Sequence, residues 1–206
     1  MDGLLFDSER LYREIFCELL EEAGREQGKA RFPQLVGLGW KETCHRLENW
    51  YPGIDAAGFV ADWKRAVHPD RGRMPRCKTG VNAVLDPLDE LGIARAIATG
   101  SQRSVASAYL AHHGLTDRFQ RVIASEDCAQ GKPHPEPFQR AAAAIGIEPE
   151  RCLALEDSRN GIRSAHAAGA VPVMVPDMVE PDDAILALAH DVAPDLHHVA
   201  EAIRAS

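Results

Sequence analysis

The sequence is short of cysteine, has no basic run and lacks a long apolar stretch, and each shortage closes off a class of protein. Its five cysteines, Cys17, Cys44, Cys77, Cys128 and Cys152, are odd in number, scattered and never in C-x-x-C spacing. Neither a disulfide framework nor a zinc site is expected from them. Cys152, in the apolar run RCLALED, reads as a buried strand residue. Reduced thiols, with no export-type leader in MDGLLFDSERLYRE, point to the cytoplasm. Lys and Arg number 23 against 31 Asp and Glu, a formal charge of −8, and no basic stripe offers a docking line for a phosphate backbone. Nucleic acid is therefore excluded as the main partner. Hydrophobic residues make up 45% of the chain, but charge interrupts them throughout, well short of the roughly 20 apolar residues that a membrane span needs. No membrane partner is expected, and the reading is a soluble globular protein, monomeric or weakly dimeric. Against about 150 residues per domain, the 206 residues suggest one domain with a sizeable insertion or two small ones.

What is there is a regular alternation. From residue 93 on, the strand-like runs IARAIAT, RVIAS, CLALE and AVPVMV alternate with the helical runs RSVASAYLAHHG, PEPFQRAAAAIG and GIRSAHAAG. That order predicts an α/β fold with a doubly wound, Rossmann-like parallel sheet. The carboxyl ends of such strands line the ligand crevice. Here they carry Thr99-Gly100-Ser101, Ser125-Glu126-Asp127 and Glu156-Asp157. Residues 8–74 differ. SERLYREIFCELLEEAG places Leu11, Ile15, Leu19 and Leu20 at helical spacing with Gly24 as a stop, and further helices are predicted over about 41–50 and 55–67. The expected organisation is a core of residues 1–7 and 75–206, interrupted by an inserted α-helical domain of residues 8–74 in which VGLGW is a glycine-bearing turn. The C-terminal stretch reads as a helix, a short strand-like piece and a last helix, without chemistry. The adjacent pairs His112-His113 and His197-His198 do not share a helix face and read as solvated helix ends.

Four short motifs carry the chemistry: MDGLLFDSE at 1–9, ATGS at 98–101, GKPHPEPF at 131–138 and LEDSRNGI at 155–162. Each alone reads as a turn, a loop or a helix cap. Phosphoryl transfer to a carboxylate needs a nucleophile, a way to neutralise phosphate oxygens and a proton for the leaving group. Glu156 and Asp157 put two hard-oxygen donors at one strand end, suited to Mg2+. Lys132 supplies a fixed positive charge, and Thr99 with Ser101 supplies hydroxyl and loop N–H donors. Gly100 permits close backbone approach, and Asp2 suits a general acid and base.

In this order the motifs resemble the haloacid dehalogenase-like hydrolase superfamily, in its phosphatase and β-phosphoglucomutase-like branch with a helical cap. The resemblance covers essentially the whole chain. It implies a Mg2+-dependent phosphomonoester hydrolase acting on a small phosphorylated metabolite through an aspartyl-phosphate. Asp2 would be the acid/base, with its carbonyl also on the metal, and Gly3 would stand beside it in the motif. Thr99, Gly100, Ser101 and Lys132 would meet the transferring group, and Glu156 and Asp157 would hold Mg2+. Asp7 and Ser8 would lie at the hinge into the cap, with Ser158 and Asn160 as loop and cap residues.

The family's first motif is D-x-D-G after a hydrophobic strand, and its first Asp is the nucleophile. Met1 stands at the x. The resemblance thus implies that the nucleophile and a central strand of about five or six residues lie ahead of Met1, and that these 206 residues alone have little or no phosphatase activity. A start assigned too late in a longer, active protein is favoured over an inactive relative that binds a phosphorylated ligand. Replacement of the nucleophile by Asp7 or Asp127 is least favoured. In sugar-phosphate mutases of the branch an arginine in the cap loop holds a second phosphate. Here Trp40 and Lys41 occupy that region, which favours a phosphatase over a mutase. Trp40 reads equally as a ring that stacks on substrate and as a core aromatic of the insertion.

Overall fold

The computed structural model describes residues 1–36 and 38–205. Gly37, in the predicted VGLGW turn, lies outside the described residues. The chain divides into two compact units, one of Ser8–Pro75 and one of Met1–Asp7 with Arg76–Ser206.

The first unit is helical: α1 (Ser8–Glu22), α2 (Gly28–Arg31), α3 (Trp40–Trp50) and α4 (Ala56–Ala66). Spacing of three and four residues puts Leu11, Ile15, Phe16 and Leu20 on one face of α1. That face is buried together with Phe32, Leu47, Phe59 and Trp63. The ring of Phe16 lies 5.0 Å from Trp63, 5.6 Å from Phe59 and 5.7 Å from Phe32. The Trp63 indole N–H donates to the Tyr12 carbonyl at 3.1 Å, so the buried ring leaves no orphaned donor. Helix α1 stops at Gly24, whose φ of +66° suits the left-handed turn, while Arg25 N–H reaches back to the Leu20 carbonyl at 2.8 Å. Asp55 caps α4 by accepting from Gly58 N–H at 2.9 Å.

The second unit is α/β. After α5 (Val81–Glu90) come β1 (Ala96–Ala98), α6 (Arg103–His112), β2 (Arg121–Ile123), α7 (Glu136–Ala144), β3 (Leu153–Glu156), α8 (Arg159–Ala167) and β4 (Val171–Met174). The chain closes with α9 (Asp183–Leu186), β5 (Asp191–Val192) and α10 (Leu196–Ala205). All strand pairs are parallel, as the alternation predicted: β1 with β2, Ile97 opposite Val122, and β3–β4–β5, Leu155 opposite Val173. The chain leaves this unit and returns to it side by side, because Asp7 N–H donates to the Arg76 carbonyl and Lys78 N–H to that of Leu5, both at 2.8 Å. No helix among the described residues is long and apolar enough to cross a membrane.

Three local readings need correction. Cys152 is half-buried and precedes β3, ending a short 3-10 turn, rather than lying inside the strand. His113 is not simply solvated, because its ring stacks at 5.2 Å on Phe6, which is fully buried. Helix α5 escaped the pattern reading because Pro87 lies inside it. Proline cannot donate to the carbonyl four residues earlier. That carbonyl, of Ala83, instead accepts from the Arg204 guanidinium at 3.3 Å.

The ladder contacts also show which strand edges are used. Thr99 N–H donates to Ile123 and Gln120 N–H to Arg95, so residues 95, 97 and 99 face β2, and Ala96 and Ala98 face the other way. Val171 N–H donates to Cys152 and Val175 N–H to Glu156, so residues 152, 154 and 156 face β4, and Leu153 and Leu155 face away. Neither of these outer edges has a strand partner among the described residues. Both line one cavity of about 390 Å³, walled also by side chains of α5, α7 and α10.

Candidate active site

The first six residues make a tight loop. Leu5 and Phe6 N–H groups both donate to the Met1 carbonyl, at 2.8 and 3.2 Å, and Gly3 takes a φ of +70° at its apex. Side-chain room as well as φ demands glycine there, because a Cβ would overlap the Asp157 carboxylate. The loop thereby brings Asp2 to the end of β1. Asp2 Oδ2 accepts from Ser101 Oγ at 2.7 Å and from Thr99 Oγ1 at 3.3 Å, and Thr99 Oγ1 in turn accepts from Ser101 N–H at 3.1 Å. Thr99 is buried and Gly100 is exposed at the turn between them. Asp2 Oδ1 is buried without a hydrogen-bond partner.

Lys132 joins this end of β1 to the end of β3. Its ammonium donates to the Ala98 carbonyl at 3.1 Å, one of the groups on the outer edge of β1, and pairs with Glu156. The ammonium also stands 4.9 Å from the centre of the Phe138 ring. Glu156 is buried, and its second oxygen accepts from Ser158 Oγ at 3.0 Å and Ser158 N–H at 3.3 Å. Ser158 Oγ also caps α8 by accepting from Gly161 N–H at 3.0 Å, where a Cβ on Gly161 would collide with Glu156. Burial works against the Glu156 charge. The Lys132 ammonium, the N-terminal ammonium and the hydrogen bonds outweigh it and hold the carboxyl below its usual range. Asp157 goes the other way: burial first, and then the neighbouring Glu156 charge, push its carboxyl up to about 7. Two adjacent acids thus differ because only one has a cation of its own.

A cation would offset the cost of ionising Asp157. Among the described residues no three acidic, histidine or cysteine side chains cluster as a ready metal cage. Magnesium fits such a donor set, because it is held by one or two carboxylates and keeps water and phosphate as its other ligands. Of the predicted residues, Asp2, Thr99 and Ser101 are joined by hydrogen bonds, Lys132 bonds to Glu156 and to the Ala98 carbonyl next to Thr99, and Gly3 lies against the Asp157 carboxylate. Trp40 and Lys41 belong to the helical unit. Trp40 is 41% exposed, with its ring 5.4 Å from Trp63 and the Lys64 ammonium 4.6 Å above it, and Lys41 is exposed.

A model of the haloacid dehalogenase-like hydrolases matches residues 1–169 of the chain. The chain belongs to that family. Within it the hydrolase is an enzyme of the phosphatase kind. It is 27% identical over 178 residues to a fructose-1-phosphate phosphatase of Escherichia coli (strain K12), covering 82% of this chain and 89% of that one. A phosphoglycolate phosphatase of Xylella fastidiosa (strain 9a5c) is 30% identical over 179 residues, 85% of this chain and 76% of the relative. The crystal structure of a family hydrolase from Deinococcus radiodurans R1, with bound phosphate and sodium, superposes with a TM-score of 0.82 at 26% identity, covering 100% of this chain and 93% of that one.

The hydrolase also holds an ion pair that the motif reading missed. Lys78, where the chain re-enters the α/β unit, pairs with Asp177, three residues beyond β4. The other oxygen of Asp177 is buried without a partner and lies 3.4 Å from where a Gly3 Cβ would stand. An acid just past a strand's carboxyl end, in VPVMVPD, was the available signal.

Proposed function

We propose that the chain is a Mg2+-dependent phosphomonoester hydrolase for a small phosphorylated metabolite, working through an aspartyl-phosphate whose nucleophilic Asp stands two residues ahead of Asp2. The observation that carries this reading is the pairing of Asp2 with Thr99 and Ser101 at the end of β1, of Lys132 with the neighbouring Ala98 carbonyl and with Glu156 at the end of β3, and the close approach of Gly3 to Asp157. The phosphorylated substrates named for its relatives support the substrate class.

Asp2, through its backbone carbonyl, Glu156 and Asp157 would hold the metal ion. Bound there, Mg2+ supplies positive charge that offsets repulsion between carboxylate and phosphate. Lys132 Nζ, the Thr99 and Ser101 hydroxyls and the loop N–H groups bind the phosphoryl oxygens and orient phosphorus toward the nucleophile. As the nucleophile's oxygen bonds to phosphorus and the ester P–O bond breaks, Asp2 Oδ1 gives its proton to the leaving oxygen. Asp2 then takes a proton from a water that attacks the acyl phosphate, returning the nucleophile and releasing phosphate. The Ser101 and Thr99 hydroxyls fix Oδ2 and leave Oδ1 for this exchange. The helical unit acts as the cap of the resemblance, with Trp40 and Lys41 selecting the leaving group.

The test is p-nitrophenyl phosphate hydrolysis, with and without Mg2+, by this chain and by one lengthened ahead of Met1 with an apolar strand ending in Asp. Turnover is expected only for the lengthened chain with Mg2+, and it falls at least about 100-fold on Asp2→Asn. Equal rates from the two chains, or full activity in a metal chelator, would overturn the reading. A phosphometabolite panel on the active chain then names the substrate.

A further inference from the structure

We propose that Glu136 is a positioning residue for Lys132: its carboxylate gathers the loop of residues 128–135 and so fixes where the Lys132 ammonium points. That the ammonium meets a phosphoryl group rests on the function proposed above, whereas the clamp stands on contacts within the α/β unit alone. Between the 3-10 turn Ser125–Asp127 and α7, residues 128–135 form neither helix nor strand. Backbone donors in such a segment have no ladder to join and must find other acceptors. One side chain collects two of them, with Ala129 N–H donating to Glu136 Oε1 at 3.1 Å and Gln130 N–H to Oε2 at 2.9 Å. Arg140, one turn along α7, adds its Nε–H to Oε1 at 2.7 Å. The two backbone N–H groups, and then Arg140, hold the Glu136 carboxyl down to about 2. A neutral amide at this position would satisfy only one of the two N–H groups, because its second polar atom is itself a donor.

The other end of the loop is tied separately. Ser164 of α8 is fully buried and donates from Oγ to the His134 carbonyl at 2.6 Å, while His134 N–H donates to the Gly131 carbonyl at 3.0 Å. Helix α8 starts just past Glu156 and Asp157. Lys132 therefore lies between a tie to α7 on one side and a tie to the helix that follows both acids on the other.

This matters because of how a lysine is aimed. An ammonium has three N–H donors, and two of those on Lys132 are engaged, by the Ala98 carbonyl and by Glu156. The direction of the third is then set by where the backbone roots the side chain. The stem is flexible and holds no direction unless its root is fixed. A misplacement of about 1 Å at a reacting centre can cost about 100-fold in rate.

The test needs neither substrate nor metal, so its failure is separate from failure of the proposed reaction. The 206-residue chain and its Glu136→Ala, Glu136→Gln and Ser164→Ala variants are treated briefly with an N-hydroxysuccinimide ester of acetate, and acetylation is measured lysine by lysine by mass spectrometry. Val84→Ala, in α5, serves as the control for a general loss of stability. Glu136→Ala is expected to speed acetylation of Lys132 by about 10-fold or more, the factor that goes with losing a hydrogen bond to a charged group. Glu136→Gln and Ser164→Ala are expected to give smaller increases, with Lys29, Lys41, Lys64 and Lys78 at the parent rate in all three. If Glu136→Ala does not fold, Glu136→Gln and Ser164→Ala carry the test. A Lys132 rate equal to the parent's shows that its own two bonds hold it without the clamp and overturns the proposal. A rise shared by the other lysines and by Val84→Ala reduces Glu136 to a general stabiliser and overturns it equally.

Discussion

The helical unit and the α/β unit close their interiors by different means. In the helical unit, segments adjacent in the chain supply a continuous wall of aromatic and aliphatic side chains, with Phe16 touching Phe32, Phe59 and Trp63, and Phe32 touching Trp63. Each helix satisfies its own backbone, so side-chain packing is the main remaining requirement. The α/β unit buries Phe6 against Tyr109, with Leu110, Val81 and Leu196 also buried, and carries clusters around Ala154, Ala165 and Ala170 and around Ile162, Met174 and Ile185, while a cavity of about 390 Å³ lies along the outer edges of β1 and β3. Protein interiors tolerate few voids larger than a water. A helix completes itself locally, whereas a strand needs neighbours from elsewhere in sequence. The residues proposed for catalysis sit on the unit with that dependence.

The largest effect is expected at Lys132. Lys132→Ala leaves Glu156 buried and unpaired, which costs about 3–5 kcal/mol and abolishes measurable turnover of the strand-bearing chain. Adding Glu156→Gln recovers most of the stability but none of the activity. Denaturant unfolding beside the phosphatase assay checks this, and equal stability of the single and double variants contradicts the buried-pair account. Next, Trp63→Ala is expected to cost about 3–5 kcal/mol in the helical unit. Val84→Ala, beside the cavity, costs less than half as much, because part of that side chain already lacks contacts. Equal losses in chemical melts would erase the contrast between the units. Smaller again, Ala142→Leu puts three methylene-sized groups toward the cavity and stabilises the 206-residue chain by about 1–2 kcal/mol. Loss of stability in a chemical melt would mean that the cavity does not take the added side chain.

Much of this was legible in the sequence, for identifiable reasons. The alternation of runs from residue 93 gave the parallel α/β order because buried strands and amphipathic helices differ in period, and small or acidic residues marked the strand ends where Thr99, Glu156 and Asp157 converge. Asp55 and Gly24 marked helix ends because caps are local. What escaped depends on contacts distant in sequence. Helix α5 carries a proline that Arg204 compensates from the far end of the chain. The Lys78–Asp177 pair joins residues 99 apart that no short motif links. Periodicity also said nothing of how Glu156 and Asp157 divide their work, because the division comes from Lys132 and Ser158 reaching only the first of them.

That division gives Asp157 a pH signature. Its carboxyl titrates near 7 in the fold, against about 3.9 in an unfolded chain. Between those values the folded chain holds the extra proton, so this group's contribution to stability falls as pH rises from about 4 to 7 and is level above. A cation bound by Asp157 must displace that proton. The most direct measurement is therefore calorimetric Mg2+ titration at pH 6 in buffers of different ionisation enthalpy, on the 206-residue chain and its Asp157→Asn variant. The account predicts release of about one proton per ion from the parent, and neither release nor comparable affinity in the variant. Binding of Mg2+ without proton release, or equally tight binding by Asp157→Asn, would contradict it.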